Sequence, residues 1–185
     1  MQWKNTLDTY GAVAKTFHWV VALLVIGLLC VGFYMTGAER TLGILKLYGL
    51  HKSVGLVVLS AVILRILWRL INKVPPLPAG TPAWQRWGAH FSHYGLYALI
   101  FAQPVIGWMM SSAAGFTVSV FGLFAMPDLI GPDKDAFETL RFLHWLCAWA
   151  LIVLISLHVL AALQHHFLHK DNVLLRMIPY GKLRD

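Results

Sequence analysis

The stretch RFLHWLCAWALIVLISLHVLAALQHHFLHK, residues 141–170, decides the fold of this chain. Between its terminal Arg and Lys it runs for 28 residues without an Asp, Glu, Lys or Arg, and yet it contains five histidines. A helix of this length spans the apolar core of a bilayer. Ionisable side chains are costly in that setting and usually serve a function. The histidines are therefore the first candidates for functional residues.

His144 and His158 lie 14 residues apart in this stretch. In an α-helix that spacing returns a side chain to within about 40° of the same face and moves it about 21 Å along the axis. One helix face thus presents an imidazole near each membrane surface. A zinc site needs ligands that converge on one ion, whereas two imidazoles this far apart suit two stacked haems, each with a second axial ligand from another helix.

The composition is that of a membrane protein. Of the 185 residues, 58% are hydrophobic and 12% are charged, and the mean hydropathy is +0.66, which is outside the range of soluble domains of this size. The net charge of +7 comes from basic residues at the ends of apolar runs, so nucleic acid is not an expected partner. Cys30 and Cys147 lie inside apolar runs, which disfavours a disulfide. Because the sequence lacks a Cys-x-x-Cys-His motif, any haem is expected to be the non-covalent b type.

Hydropathy predicts an all-α membrane protein, a single domain over residues 1–185 in which four transmembrane helices form a bundle. The helices are expected at about 16–37, 47–71, 88–111 and 139–168. A Pro-rich connector separates the second helix from the third, and Pro104 is expected to kink the third. Residues 116–126 are interpreted as an apolar interfacial loop, and residues 128–138 as its acidic, soluble part. The first helix follows a polar segment and is expected to be retained rather than cleaved as a signal peptide.

The distribution of Lys and Arg predicts the orientation in the membrane. Ten of these residues lie in the N-terminal segment, the second connector with its flanks and the C-terminal tail, against five in the first and third connectors. By the positive-inside rule, both termini are cytoplasmic. His18, His93 and His158 then lie toward the cytoplasm, and His51 and His144 lie toward the periplasm.

These depths sort four histidines into two pairs, His18 with His158 and His51 with His144. Each pair suits one haem held by two imidazoles. The alternative is that these are interfacial histidines that bind lipid headgroups. That alternative accounts well for any single histidine of the four, but it does not account for the spacing that the four share. Arg65 lies 14 residues after His51, nearly on the same face, and is a candidate partner for haem propionates. An arginine that simply extends to the membrane interface is the equally supported alternative.

Several segments that together span nearly the whole chain resemble a known family. They are Phe17-His18-Trp19, Leu50-His51-Lys52-Ser53-Val54-Gly55, His90-Phe-Ser-His93, Pro104-Val-Ile-Gly107, Leu143-His144-Trp145, Leu157-His158 and the closing His165-His166-Phe-Leu-His-Lys170-Asp171-Asn-Val-Leu-Leu-Arg176-Met. In these segments the chain resembles the bacterial cytochrome b561 family, and within it the superoxide oxidase type. The resemblance implies a multi-pass, di-haem b-type cytochrome of the bacterial inner membrane, with the four paired histidines as axial ligands.

The resemblance also implies an activity. Members exchange electrons with the membrane quinone pool, so the expected function is electron transfer between a periplasmic donor, such as superoxide, and ubiquinone, which makes the chain a superoxide:quinone oxidoreductase. By the same resemblance, His93 and His165 bind the two quinone carbonyls. His165 extends the face of His158 by about 10 Å toward the cytoplasm. His90, His166 and His169 are interpreted as a water-exposed interfacial cluster.

Two basic residues are candidates for the donor site. Lys52 directly follows His51, and Arg141 precedes His144 by one helical turn. A cationic rim around an outer haem would attract a small anion such as superoxide. The acidic run over residues 128–138 opposes this effect, and anchoring of helix ends at lipid headgroups is the alternative role for both bases.

Two other functions remain open for comparison. A haem-bearing anchor that docks to the electron-transferring subunit of a dehydrogenase or hydrogenase would use the same ligands without turning over a substrate. A histidine-lined metal transporter is disfavoured because the predicted helices carry no intramembrane carboxylates.

Overall fold

The computed structural model describes residues 2–184 of the chain. Within that range it contains four long helices, α1 (Ala12–Gly37), α2 (Leu42–Leu70), α3 (Ala83–Ala113) and α4 (Lys134–Gln164), and α4 continues into a π-helical turn, His165–His169. Each of the four is long and apolar enough to cross a membrane. The prediction of a four-helix membrane protein is confirmed.

The helices begin four or five residues earlier than hydropathy predicts. Polar caps stabilise the first turns of two of them: the Thr41 side chain accepts a hydrogen bond from the Ile44 N–H at the start of α2, and the Asp133 side chain accepts one from the Ala136 N–H at the start of α4. Residues 134–138, interpreted from the sequence as part of a soluble loop, are therefore the first turn of α4. Hydropathy missed the first turn of α4 because Lys134, Asp135 and Glu138 are charged although their backbone is helical.

The helices pack in chain order, α1 on α2, α2 on α3 and α3 on α4. The buried centre of the bundle consists of Val21, Val25 and Val58, with larger aliphatic side chains packed around them. Outward-facing apolar residues such as Leu23 and Leu160 are 68% and 62% exposed, as expected for a surface that contacts lipid rather than water. α3 continues through Pro104, whose missing N–H leaves the Ile100 carbonyl without its helical partner.

The connector between α3 and α4 is a folded cap. The sequence predicts an interfacial loop, whereas the structure forms a β-hairpin from β1 (Ser119–Val120) and β2 (Phe124–Ala125). Phe121 and Gly122 take left-handed backbone angles at its turn (φ 50° and 75°), which matches the twist of paired strands. Ser53 of α2 is buried beneath it, where its hydroxyl donates to the Ser119 carbonyl and accepts from the Phe121 N–H. We call this the hairpin end of the bundle.

The N-terminal segment, the connector between α2 and α3 and the C-terminal segment meet at the opposite end. Lys15 Nζ donates to the Ile178 carbonyl at 3.0 Å, and Trp19 Nε1 donates to the Met177 carbonyl at the same distance. Arg176 reaches across to the Pro76 carbonyl at 2.6 Å. These long-range bonds hold the C-terminal segment against the bundle at what we call the tail end.

Candidate functional site

Four side chains from four different helices meet at the tail end. They are His18 of α1, Arg65 of α2, His93 of α3 and His158 of α4. The ring centroids of His18 and His158 are 6.2 Å apart, and those of His93 and His158 are 5.4 Å apart. Arg65 Nη2 lies 2.9 Å from His18 Nδ1. The structure thus brings together all the histidines that the sequence assigned to this depth in the helices.

The separation of His18 and His158 fits two imidazoles on one metal atom. Bonds between metal and imidazole nitrogen are about 2 Å long, and with about 1 Å from each nitrogen to its ring centre, a linear arrangement separates the centroids by about 6 Å. Because arginine is only a donor, Arg65 donates to His18 Nδ1 and leaves the ring proton on Nε2. A metal at Nε2 would shift that proton to Nδ1, and Arg65 would then be free to bind an acidic group.

His51 and His144 line a cavity at the hairpin end. The cavity lies among all four helices, and its walls are mostly apolar, formed by side chains such as Leu28, Val58 and Leu151. The Nδ1 atoms of both histidines are buried and have no hydrogen-bond partner among the described residues. Unpaired buried polar atoms are rare in native proteins and point to a partner that protein atoms do not supply.

Two glycines make room for these imidazoles. A Cβ atom on Gly107 of α3 would lie 3.0 Å from His144 Cε1, and one on Gly32 of α1 would lie 3.4 Å from His51 Cε1. The cavity therefore combines two imidazoles, an apolar wall and backbone that closely approaches both rings. Gln103 is its polar exception: Nε2 donates to the His144 carbonyl at 3.0 Å, and its buried Oε1 is unpaired in residues 2–184. Neither a motif nor a spacing in the sequence pointed to Gln103 or Gly32.

The donor sets at both ends fit haem iron better than a chelated ion. Within residues 2–184, no group of three or more His, Cys, Asp or Glu side chains converges as a metal site. Paired imidazoles suit a metal whose remaining ligands come from a macrocycle. Cys30 and Cys147, the two cysteines of the chain, are both free thiols in the described structure and supply no ligand.

Lys52 and Arg141 occupy different settings at the hairpin end. Lys52 is half-buried under the cap, where Nζ donates to Ser111 Oγ at 2.7 Å and lies 5.5 Å from the ring centroid of Phe116. Arg141 is exposed and forms an ion pair with Glu138, at 2.5 Å between Nη2 and Oε2. Sequence reasoning placed both bases near the outer ligands but missed this pair, which follows from the i, i+3 spacing on α4.

His165 lies in the π-helical turn, and its partner is a residue that sequence reasoning left without a role. His165 Nδ1 is 2.5 Å from Asp171 Oδ2. His169 is exposed, with its ring centroid 5.2 Å from that of His165, and His166 contacts Arg184. Asp171 stands in the Lys-Asp-Asn segment quoted above, so the signal for it was present in the sequence.

The sequence matches a known protein family over most of its length. The family model described as prokaryotic cytochrome b561 matches residues 9–180. The chain is 36% identical over 180 residues to "Cytochrome b561 homolog 2" of Escherichia coli (strain K12), which covers 96% of this chain and 95% of that protein. It is 33% identical over 174 residues to "Probable superoxide oxidase CybB" of Yersinia pestis, and the match covers 92% of this chain and 96% of that protein. It is 28% identical over 182 residues to "Cytochrome b561 homolog 1" of E. coli (strain K12), and the match covers 95% of this chain and 100% of that protein.

Proposed function

The chain belongs to the prokaryotic cytochrome b561 family, whose members are multi-pass membrane proteins with b-type haem, and from this premise we propose that it is a di-haem superoxide:ubiquinone oxidoreductase of the bacterial inner membrane. The observation that carries the proposal is the presence of one histidine pair at each end of the same bundle, His18 with His158 and His51 with His144. Similarity to a protein named as a superoxide oxidase supports the choice of donor.

The four paired histidines would hold the haems, and each haem, when bound, supplies a carrier for one electron at a time. At the tail end His18 and His158 already stand at the separation that a shared metal requires. At the hairpin end the cavity between His51 and His144 offers apolar walls to a flat, largely apolar group. Arg65 at the tail end would bind a haem propionate once its hydrogen bond to His18 is broken.

The tail end faces the cytoplasm in this proposal, and the hairpin end faces the periplasm. The excess of Lys and Arg in the segments at the tail end supports that orientation. A donor would then arrive at the hairpin end, and quinone would be reduced at the tail end.

Lys52 is the base best placed to guide an anionic donor to the hairpin end. Lys52 directly follows the proposed ligand His51 in the sequence, and its ammonium group is held in place by contacts with Ser111 and Phe116. A fixed cation in a half-buried setting is screened less than an exposed one. Arg141, by contrast, is already neutralised by Glu138.

Two superoxide anions each give up one electron, and one quinone takes both electrons with two protons to become a quinol.

His93 and His165 are proposed to bind the quinone head group at the tail end. His93 packs against the ligand His158, which would keep a bound quinone close to the electron carrier. His165 lies about two turns beyond His158, in the π-helical turn that continues α4, so a quinone ring bound between His93 and His165 would present one carbonyl to each imidazole.

Stopped-flow reduction of the purified protein by superoxide tests the donor. We expect fast reduction that slows as salt is added, and a Lys52→Gln/Arg141→Gln double variant that is slower by roughly tenfold at low ionic strength. The Arg141→Gln single variant is the matched control and should account for little of the loss. Slow reduction that neither salt nor the variants change would contradict a superoxide site and favour the haem-anchor function, for which a stably co-purifying subunit would be the independent sign.

Reoxidation of the reduced protein by a short-chain ubiquinone tests the acceptor site. His93→Ala and His165→Ala should each slow reoxidation while the haem spectrum stays intact, and His90→Ala, near the start of α3, serves as the control. Rates equal to wild type in both variants would remove the quinone site from the tail end.

A further inference from the structure

The end of α4 places a carboxylate directly against a candidate quinone ligand. Asp171 Oδ2 lies 2.5 Å from His165 Nδ1, and the two side chains are only 20% and 14% exposed. The other oxygen of the carboxylate, Oδ1, accepts a hydrogen bond from the Val173 N–H at 2.9 Å. The carboxylate is thus fixed from both sides, with one oxygen committed to the backbone and one to the imidazole.

The local backbone is shaped to make this contact. The α-helical pattern widens into a π-helical turn at His165–His169, and Lys170 follows in the left-handed conformation (φ 54°). The chain therefore turns back, and the Asp171 N–H donates to the His165 carbonyl at 3.2 Å. Left-handed backbone is unfavourable for a residue with a side chain, and π-helical turns occur frequently at functional sites. Two hydrogen bonds between Asn172 and Arg184 hold the segment beyond the turn.

We propose that Asp171 makes His165 the proton donor to the quinone, an inference that rests on the function proposed above. The carboxylate oxygen is placed to accept a hydrogen bond from a proton on Nδ1, so a second proton on the ring must be carried by Nε2. The second ring proton is then on Nε2, at the opposite side of the ring from Asp171. Asp171 is a positioning residue: it contacts the histidine and does not itself touch the quinone.

Reduction of one quinone to quinol consumes two electrons and two protons. As the quinone takes up two electrons, the bond between Nε2 of His165 and its proton breaks, and an O–H bond forms at one carbonyl oxygen. His165 is left neutral with its Nδ1 proton facing Asp171, so the charge of the pair changes from zero to −1. A proton from water at the tail end restores the imidazolium. The other carbonyl oxygen takes its proton from water at the same end.

Asp171→Asn separates proton donation from quinone binding. The amide oxygen can still accept from the Val173 N–H, and the amide N–H2 can donate to His165 Nδ1. Nε2 then keeps its proton and can still hydrogen-bond a carbonyl, but the imidazole is neutral and cannot give that proton away. Quinone should therefore bind as before and be reduced slowly.

Reoxidation of dithionite-reduced, haem-loaded protein, followed at the Soret band over a range of ubiquinone-1 concentrations, tests this assignment. In Asp171→Asn we expect the saturating rate to fall by roughly 100-fold, with the half-saturating quinone concentration little changed. Asp171→Glu should recover part of the rate, and His169→Gln, an exposed neighbour in the same turn, should match wild type. Reoxidation by ferricyanide, which takes an electron without a proton, should be equal in all four proteins.

The outcomes distinguish the two proposals. If His93→Ala and His165→Ala slow quinone reduction but Asp171→Asn does not, the quinone site stands and Asp171 has no part in proton donation. If none of the three variants changes the quinone rate, the proposed quinone site itself fails. A loss in Asp171→Asn that appears equally with ferricyanide, or only in the half-saturating concentration, would assign Asp171 a structural role and overturn the inference.

Discussion

The two ends of the bundle prepare their histidine pairs by different means. At the tail end His18 and His158 stand 6.2 Å apart among polar neighbours, and Arg65 already occupies one ring nitrogen. At the hairpin end His51 and His144 face an apolar cavity with both Nδ1 atoms unpaired among the described residues. The tail-end pair is positioned by charge and hydrogen bonds, whereas the hairpin-end pair is positioned by shape. Changes in charge should therefore disturb mainly the histidine pair at the tail end, and changes in volume mainly the pair at the hairpin end.

Removal of an axial ligand should produce the largest effect and should act on one end only. We expect His51→Ala and His144→Ala each to lower the haem content from two to one per chain, because a haem held without covalent bonds depends on its ligands. His18→Ala and His158→Ala should remove the other haem. Haem per chain, measured after pyridine extraction and compared with His90→Ala as control, checks the prediction.

Two outcomes would contradict this assignment of the ligands. Full haem content in all four variants would show that these histidines are not the ligands. Loss of both haems from a single substitution would show that the two ends do not fold around their haems independently.

A methyl group added at Gly107 should disturb the hairpin end alone. The new Cβ would approach His144 Cε1 to 3.0 Å, and overpacking of this kind typically costs about 1–3 kcal/mol. Gly107→Ala should therefore retain only part of the hairpin-end haem, with the tail-end haem unchanged. Gly88→Ala in the same helix is the control, since a Cβ there meets no atom within 4 Å in the described structure. Equal haem spectra in the two variants would contradict positioning by shape.

Much of this arrangement could be predicted from the sequence, because it depends on helix periodicity. The 14-residue spacing of His144 and His158 predicts two levels on one face, and in the structure the ring centroid of His158 lies 6.2 Å from that of His18, the residue predicted for the same level. The hairpin cap could not be derived this way: its strands are two residues long, and it depends on contacts with distant buried serines such as Ser53. The pairing of His165 with Asp171 likewise depends on a left-handed residue, Lys170, which no hydrophobic pattern encodes.

Loss of the Arg65 charge should shift the redox behaviour of the tail end. A cation stabilises the reduced state of a nearby carrier, so Arg65→Gln should lower the potential of the tail-end haem by tens of millivolts and leave the other haem unchanged. Arg69→Gln is the matched control: Arg69 lies one turn further along α2, over the same Tyr97 ring. Its effect should be smaller. A redox titration that finds both haems shifted equally would show that Arg65 acts through net charge alone.

The smallest expected effect concerns the exposed ion pair at the hairpin end. Glu138 neutralises Arg141, and the two side chains are 48% and 65% exposed. Such pairs contribute little to stability, so Glu138→Gln should leave folding unchanged. It would, however, free the guanidinium and remove a negative charge that repels anions, and reduction by superoxide should become roughly twofold faster at low salt. Asp8→Asn makes the same change in net charge at the tail end and should have no effect. If both variants accelerate reduction equally, the donor responds to the net charge of the whole molecule. If neither does, the exposed ion pair has no part in attracting the donor, and Lys52 is the only one of the two bases that guides it.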